Sequence, residues 1–158
     1  MTNELVDRNP VFALAFAVEA KQLFRKYPHI AHKWSIGDDQ DVCALVIPKS
    51  SDEGFDISFY VTAEEVTVHC ASFHEHYSIE GDVIEFAAYC IGMLYDLLTP
   101  TMRVRISSAG ATPYKWTLEM LEKNKWLQQG STALIFYNYF SKRSETILQN
   151  SALEARLY

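Results

Sequence analysis

The longest apolar run in the middle of the chain covers residues 82–98 and predicts a helix. Asp82, followed three residues later by Glu85, is an acidic variant of the capping box, and Pro100 ends the helical pattern. Between these signals only Glu85 and Asp96 are charged, so most of the helix circumference is apolar. We therefore expect a sheet to close on this helix and cover most of its sides, because about 17 residues are short for a membrane span.

The first half of the chain predicts another helix followed by about four strands. The helix begins at Asn9-Pro10, has an apolar stripe over residues 10–27 and ends before Pro28. A change of inward parity at Ala71-Ser72 predicts a bulge within the last strand, which continues to about residue 77. The predicted strands cover 32–36, 42–47, 55–61 and 66–79.

The second half has the same order of elements, with helix 82–98 followed by four or five strands that end at about residue 150. Two strands are expected from alternating residues at 102–106 and 114–120, with a loose loop between them. Gly130 is expected to break the strand that begins at Trp126, and the apolar run 133–140 predicts a further strand.

Short consecutive strands joined by tight turns imply antiparallel pairing, and two helices are too few for parallel crossovers. We therefore predict that residues 1–158 form a single α+β domain. Its expected architecture is a single curved, mainly antiparallel sheet packed against two long helices.

Composition favours a protein with a real core in a reducing compartment. Hydrophobic residues make up 49% of 158, and the odd set Cys43, Cys70 and Cys90 indicates buried thiols instead of a disulfide frame. The apolar run Pro10–Ala17 has the small residues of a signal-peptide cleavage site, but the residues before it carry Glu4, Asp7 and Arg8 where a basic leader is needed. We expect a cytoplasmic protein that does not interact with a membrane.

Acidic residues are concentrated in the first half of the chain. The net charge is −6, and residues 38–80 hold ten acidic side chains against Lys49 alone. Such a surface argues against nucleic acid as a ligand and suits a basic protein partner, whereas the alternative is that carboxylates merely solvate the loops. The expected contact residues are the acidic turn residues and one outward aromatic: Asp38, Asp39, Asp41, Asp52, Glu53, Asp56 and Tyr60.

Histidines are clustered in the segment before the central helix. On a strand, His74 and His76 project from one face with His69 nearby, so they could bind zinc if a further ligand came from elsewhere. The alternative is a set of half-exposed histidines on a sheet face. The chain has no helical H-E-x-x-H motif, paired C-x-x-C motif, phosphate loop or nucleophile elbow. We predict no catalytic residue and no cofactor.

Aromatic residues on the predicted strands could line a pocket beside the central helix or simply fill the core. If a small molecule binds there, an apolar or cationic ligand suits aromatic walls with acidic groups. The candidate pocket residues are Phe73, Tyr77, Tyr114, Trp116 and Trp126.

Several short motifs occur in the order Phe73-His-Glu-His-Tyr77, Arg103-Val-Arg105, Pro113–Glu119, Lys125-Trp126 and Phe136–Asn150. In this order they resemble small uncharacterised bacterial proteins of mobile gene cassettes and immunity-type proteins of toxin systems. The resemblance covers residues 66–150 and implies a single α+β domain of bacterial origin with a protein-binding role. It implies no functional residue.

The function expected from these features is that of a non-enzymatic binding protein, of immunity type, which engages a basic partner through its acidic face. One alternative is a small-molecule-binding module that uses the aromatic pocket. Another is a metal-dependent hydrolase that uses His69, His74 and His76. A homodimer whose acidic loops only maintain solubility is the plain alternative to a foreign partner.

Overall fold

The computed structural model describes residues 9–36, 43–62, 64–135, 138 and 140–156, and confirms the α+β class. Within this part of the chain, two helices and nine strands are formed in the order expected from the sequence. They are α1 (Asn9–Lys26), β1 (Lys33–Ile36), β2 (Cys43–Ile47), β3 (Ile57–Val61), β4 (Glu65–Cys70), β5 (Phe73–Ser78), α2 (Val83–Leu97), β6 (Met102–Ala109), β7 (Thr112–Glu122), β8 (Lys125–Ala133) and β9 (Arg143–Gln149).

The strands form two antiparallel sheets, so the prediction of a single curved sheet was wrong. The first sheet has the order β1-β2-β3-β4-β5, and the second has the order β8-β7-β6-β9. The side chain of Thr132 joins the edge strands β5 and β8. Its Oγ1 accepts a 3.1 Å hydrogen bond from the N–H of His74 and donates a 3.2 Å hydrogen bond to the C=O of the same residue. Without a backbone ladder at this border, the two sheets remain distinct.

The two helices also differ from the predicted pair of long helices on one concave sheet face. They have 18 and 15 residues, and they pack against each other through Phe12 and Phe86, with ring centroids 5.3 Å apart. One turn further along, α1 packs on the first sheet, where the centroids of Phe16 and Phe59 are 5.5 Å apart. The core therefore joins both helices to the inner faces of both sheets.

The N-cap of α2 agrees with the sequence prediction, but the extent to which other elements bury the helix does not. Asp82 is the N-cap, and its carboxylate accepts hydrogen bonds from the N–H groups of Ile84 and Glu85 at 2.9 and 3.0 Å. Although the helix was expected to be covered on most sides, Ile84 is 66% exposed and Tyr89 is 56% exposed. Residues of one stripe are fully buried: Ala87, Cys90, Leu94 and Leu97.

Two segments predicted to be irregular form tight hairpins. Ala71 and Ser72 are the turn between β4 and β5, with Ala71 at φ 55°, so the parity change reflects a chain reversal instead of a bulge. The expected loose loop after residue 106 is a two-residue turn between β6 and β7, where Gly110 adopts φ 59°. Glycine adopts this left-handed conformation without the steric cost of a Cβ.

Of the strand predicted for residues 133–140, residues 134, 135, 138 and 140 are not in a strand, and residues 136, 137 and 139 lie outside the described residues. β8 runs through Gly130 and ends at Ala133, and the following Leu134 and Ile135 are 58% and 83% exposed. A Cβ at residue 130 would lie 3.2 Å from the ring of Phe73, so glycine allows β8 to approach that ring. The apolar residues Leu134 and Ile135 therefore belong to an exposed connection. Within the described residues, no helix is long and apolar enough to cross a membrane.

Candidate functional site

The three histidines lie together on the outer face of the first sheet. His69 on β4 is directly opposite His74 on β5, with ring centroids 5.6 Å apart, and the rings of His74 and His76 are 5.8 Å apart. Burial and the two neighbouring imidazoles lower the pKa of His69. The hairpin at residues 71–72 creates this cluster by folding β5 back on β4.

The histidine cluster is tied to its neighbours by hydrogen bonds. Nδ1 of His76 lies 3.0 Å from the Glu65 carboxylate and 3.0 Å from Oγ1 of Thr67. Among the residues that the structure describes, no group of three or more His, Cys, Asp or Glu side chains is arranged to hold a metal ion.

The acidic residues proposed from the sequence fall in two stretches of the chain, residues 38–41 and residues 52–56. Asp52, Glu53 and Asp56 are exposed between β2 and β3, where Asp52 is 3.7 Å from the Lys49 ammonium group. Oδ1 of Asp56 accepts a 2.7 Å hydrogen bond from the N–H of Lys49. The predictions for Asp38, Asp39 and Asp41 lie outside the described residues.

The opposite end of the first sheet carries a second set of carboxylates, which the contact prediction did not include. This end lies where Val61 pairs with Val66 and where the N–H of Ile79 bonds the C=O of Glu64 at 3.1 Å. The chain also enters β2 here, since Cys43 pairs with Val61. We call this set the acidic end: Glu64, Glu65, Glu80, Asp82 and Glu85.

The proposed pocket aromatics do not share one wall. Phe73 is fully buried in the core, and Trp116 packs against the core from the inner face of the second sheet. Trp126 lies on the other face, where its ring is 4.0 Å from the guanidinium of Arg103. The ring of Tyr114 is 5.0 Å from the Arg143 guanidinium. Of the five residues, only Tyr77 lines the cavity described next.

A groove runs between α2 and the inner face of the second sheet, and we call it the α2 groove. It has a cavity volume of about 360 Å³, and it adjoins a second cavity of about 470 Å³ that shares Asp96 and Met120 with it. It exists because α2 leaves part of the apolar face of β6 and β7 uncovered. The residues that define its chemistry are Tyr77, Tyr89, Met93, Asp96, Met102 and Met120.

Burial controls the ionisation of the groups in the α2 groove. It raises the pKa of the Tyr77 and Tyr89 hydroxyls, with smaller contributions from the Glu75 carboxylate. It also raises the pKa of Asp96, against the attraction of the Arg156 guanidinium. The phenols are therefore neutral at pH 7, and both line the same cavity as the Asp96 carboxylate.

No family model, curated protein or solved structure matches this chain. The functional argument therefore depends on the surfaces and the groove themselves.

Sequence reasoning missed most of the groove residues. Met93 belongs to the apolar run of α2, and Met102 and Met120 alternate inward on their strands, so none of them was named as a pocket residue. Asp96 was noted only as one of the two charged residues of the helix. The available signal was Asp96, an acidic residue in the last turn of an otherwise apolar helix. Periodicity shows which side is apolar, but not whether another element covers it.

Proposed function

We propose that this protein is a cytoplasmic, non-enzymatic binding protein of immunity type that engages a basic partner protein through its acidic end. The observation that carries this proposal is the concentration of five carboxylates at one end of the first sheet. Among the described residues, their sole ion pair is that of Glu65 with His76, which requires a protonated imidazole. Asp82 caps α2, whereas Glu64, Glu80 and Glu85 are exposed and make no ion pair within the described residues, so they are available to a partner.

Clustered carboxylates of this kind raise the rate at which a basic surface is encountered. They also suit the inhibition of an enzyme whose own substrate is a polyanion, because the inhibitor then presents the same charge. In the sequence, three further aspartates at residues 38–41 precede β2, which begins at this end. The resemblance of residues 66–150 to immunity-type proteins supports the same class.

Exposed apolar side chains beside the carboxylates provide anchors for such a contact. Ile84, in the first turn of α2, is 66% exposed next to the capping Asp82. Tyr60 is 44% exposed on the outer face of β3 and packs edge-on to His69, with ring centroids 5.5 Å apart. Large apolar and aromatic side chains of this kind supply much of the affinity of protein interfaces, while the surrounding charges set the association rate.

The test is to capture the partner from the source organism and then measure association kinetics with the purified pair. The variant combines Glu64→Gln, Glu80→Gln and Glu85→Gln, which leaves the Asp82 cap intact. We expect the association rate constant to fall about tenfold at low ionic strength and its salt dependence to weaken, because steering is electrostatic.

The matched control is Asp52→Asn, Glu53→Gln and Asp56→Asn, which removes the same charge at the other end of β2. We expect the control to retain most of the wild-type association rate. An equal fall in the association rate constant of both variants would show that only the net charge matters. An unchanged association rate constant in both variants would contradict the proposal. Capture of only a second copy of this chain would favour the homodimer instead.

The metal-dependent hydrolase draws no support from the described part of the chain, where no His, Cys, Asp and Glu group is set to hold a metal. The small-molecule alternative has a specific observation in its favour, which is the α2 groove.

A further inference from the structure

The α2 groove has the size and composition of a small-molecule site. Its two adjoining cavities, of about 360 and 470 Å³, fall in the range of ordinary ligand pockets. Met93, Met102 and Met120 line the first cavity together with Leu118. Methionine side chains are flexible and polarisable, so they adapt to apolar ligands of varied shape.

One charged group faces this apolar lining without a bonded partner. Asp96 is half-buried, and among the described residues its carboxylate makes no hydrogen bond or ion pair, while the Arg156 guanidinium attracts it from a greater distance. The Arg156 guanidinium is held over the ring of Tyr95 at 4.1 Å. Removing a carboxylate from water costs free energy that a bound cation would return.

The aromatic residues of the groove add to the attraction for a cation. Tyr77 and Tyr89 line the same cavity as Asp96. The face of a tyrosine ring attracts organic cations, most strongly where the cation loses part of its hydration shell. A carboxylate, two phenol rings and three thioethers therefore favour a ligand with a positive head and an apolar body.

The second cavity limits how much positive charge the ligand carries. Lys123 and Arg156 line it, beside Glu122 and Thr101. A polycation that extended along both cavities would meet these basic groups. Charge complementarity therefore selects a monovalent cation whose head lies beside Asp96.

We propose that the α2 groove binds an amphipathic organic cation, a single amine or quaternary ammonium group on an apolar body, with its head at Asp96 and its body against the three methionines. Asp96 lies in the last turn of α2, whereas Asp82 and Glu85 of the acidic end lie at the start of this helix, and the proposal does not depend on partner binding.

The test uses decyltrimethylammonium below its micelle-forming concentration, with decyl sulfate and decanol as matched probes of the same chain length. Three of the four methionines line the groove, and the fourth, Met1, lies outside the described residues. NMR spectra of protein labelled with ¹³C at the methionine methyl groups therefore report occupancy directly. We expect the cation to shift the signals of Met93, Met102 and Met120 and to bind at least tenfold more tightly than decanol or decyl sulfate.

Two variants test separately whether binding needs the charge of Asp96 and the open space of the α2 groove. Asp96→Asn should weaken binding of the cation about tenfold and leave binding of decanol unchanged, whereas the control Asp52→Asn should alter neither. Gly92→Leu should block every probe without unfolding the protein, because a Cβ at this helical position meets nothing within 4 Å.

Three outcomes would overturn the proposal. They are methionine signals that do not move with any probe, equal affinity for the cation and the sulfate, and an Asp96→Asn variant that binds the cation as tightly as wild type. If removal of residues 1–8 were required before the signals moved, the groove would be the docking site of that segment, and the proposal would also fail.

Discussion

At the residue scale, the histidine cluster gives the protein a pH-dependent surface. The outer face of β4 and β5 brings His69 close to His74, to His76 and, through its edge-on ring contact, to Tyr60. Among the described residues, the cluster also contacts the charged group of Glu65, whose carboxylate lies 3.0 Å from Nδ1 of His76. Because burial and the neighbouring imidazoles lower the pKa of His69, its neutral form is favoured in the folded state.

We therefore predict that the protein loses stability as the pH falls below about 6.5, the ordinary pKa of histidine. In that range His69 takes up a proton more readily in the unfolded chain than in the folded protein, so acid favours unfolding. His69→Gln should flatten the dependence of the melting temperature on pH between about 5 and 7. The control His29→Gln should keep the wild-type slope, and an unchanged slope in His69→Gln would contradict the prediction.

The three cysteines show how burial determines side-chain chemistry at this scale. Cys43, Cys70 and Cys90 are buried and free in the core, as the sequence indicated. Burial raises the pKa of Cys43 to about 11 and that of Cys90 to about 12, and it raises the pKa of Cys70 further. These thiols are therefore protonated at neutral pH and act as small apolar side chains.

At the element scale, a charge network joins three strands of the second sheet. Glu119 on β7 is buried, and its carboxylate accepts hydrogen bonds from Nε of Arg103 at 2.7 Å and from Nε of Arg105 at 2.9 Å. Arg105 also reaches Glu145 on β9 at 2.8 Å, and both carboxylates raise the pKa of its guanidinium. The network lies on the sheet face opposite the core and links β7, β6 and β9.

We predict that Glu119→Gln destabilises the protein by about 2 kcal/mol, because two partly buried guanidinium groups lose their shared counter-charge. Urea denaturation measures this change. Glu145→Gln is the matched control, since its carboxylate is 57% exposed and its loss should cost about 0.5 kcal/mol or less. Equal effects of the two substitutions would show that the burial of Glu119 is unimportant.

At the scale of the whole molecule, the buried side-chain amide of Asn150 is one of the links between the two halves. Asn150 follows β9 and is buried, and its Nδ2 donates to the carbonyl groups of Phe55 and Leu97, both at 3.1 Å. Its Oδ1 accepts a 3.1 Å hydrogen bond from the N–H of Phe55. Asn150 thus joins the connection before β3 to the end of α2, and the N–H of Gln149 adds a 2.7 Å bond to the C=O of Glu53.

We predict that Asn150→Ala destabilises the protein by about 3 kcal/mol, because three buried backbone groups lose their partner. Gly54→Ala should act on the same contact, since its Cβ would lie 2.5 Å from Oδ1 of Asn150. The double variant should therefore be much less destabilised than the sum of the two single variants in urea denaturation. Additive effects would show that Gly54 and Asn150 act independently.

The amino-acid sequence by itself determined the positions of the helices and most strands. The predicted helices 10–27 and 82–98 differ from α1 and α2 by about one residue at each end. Capping by Asp82, the alternation of β3 and β6 and the burial of the cysteines followed from local pattern as well. These features depend on residues that are close in sequence, which is why a linear pattern contains them.

Only the tertiary structure decided how the strands are grouped and which apolar surfaces stay uncovered. The reversal at Ala71-Ser72, the border between β5 and β8 and the buried role of Asn150 all depend on partners distant in sequence. The exposed Leu134 and Ile135 and the open α2 groove have the same apolar signature as core segments. Periodicity reports the chemistry of a face, whereas burial depends on what packs against that face, and this is fixed only when the whole chain folds.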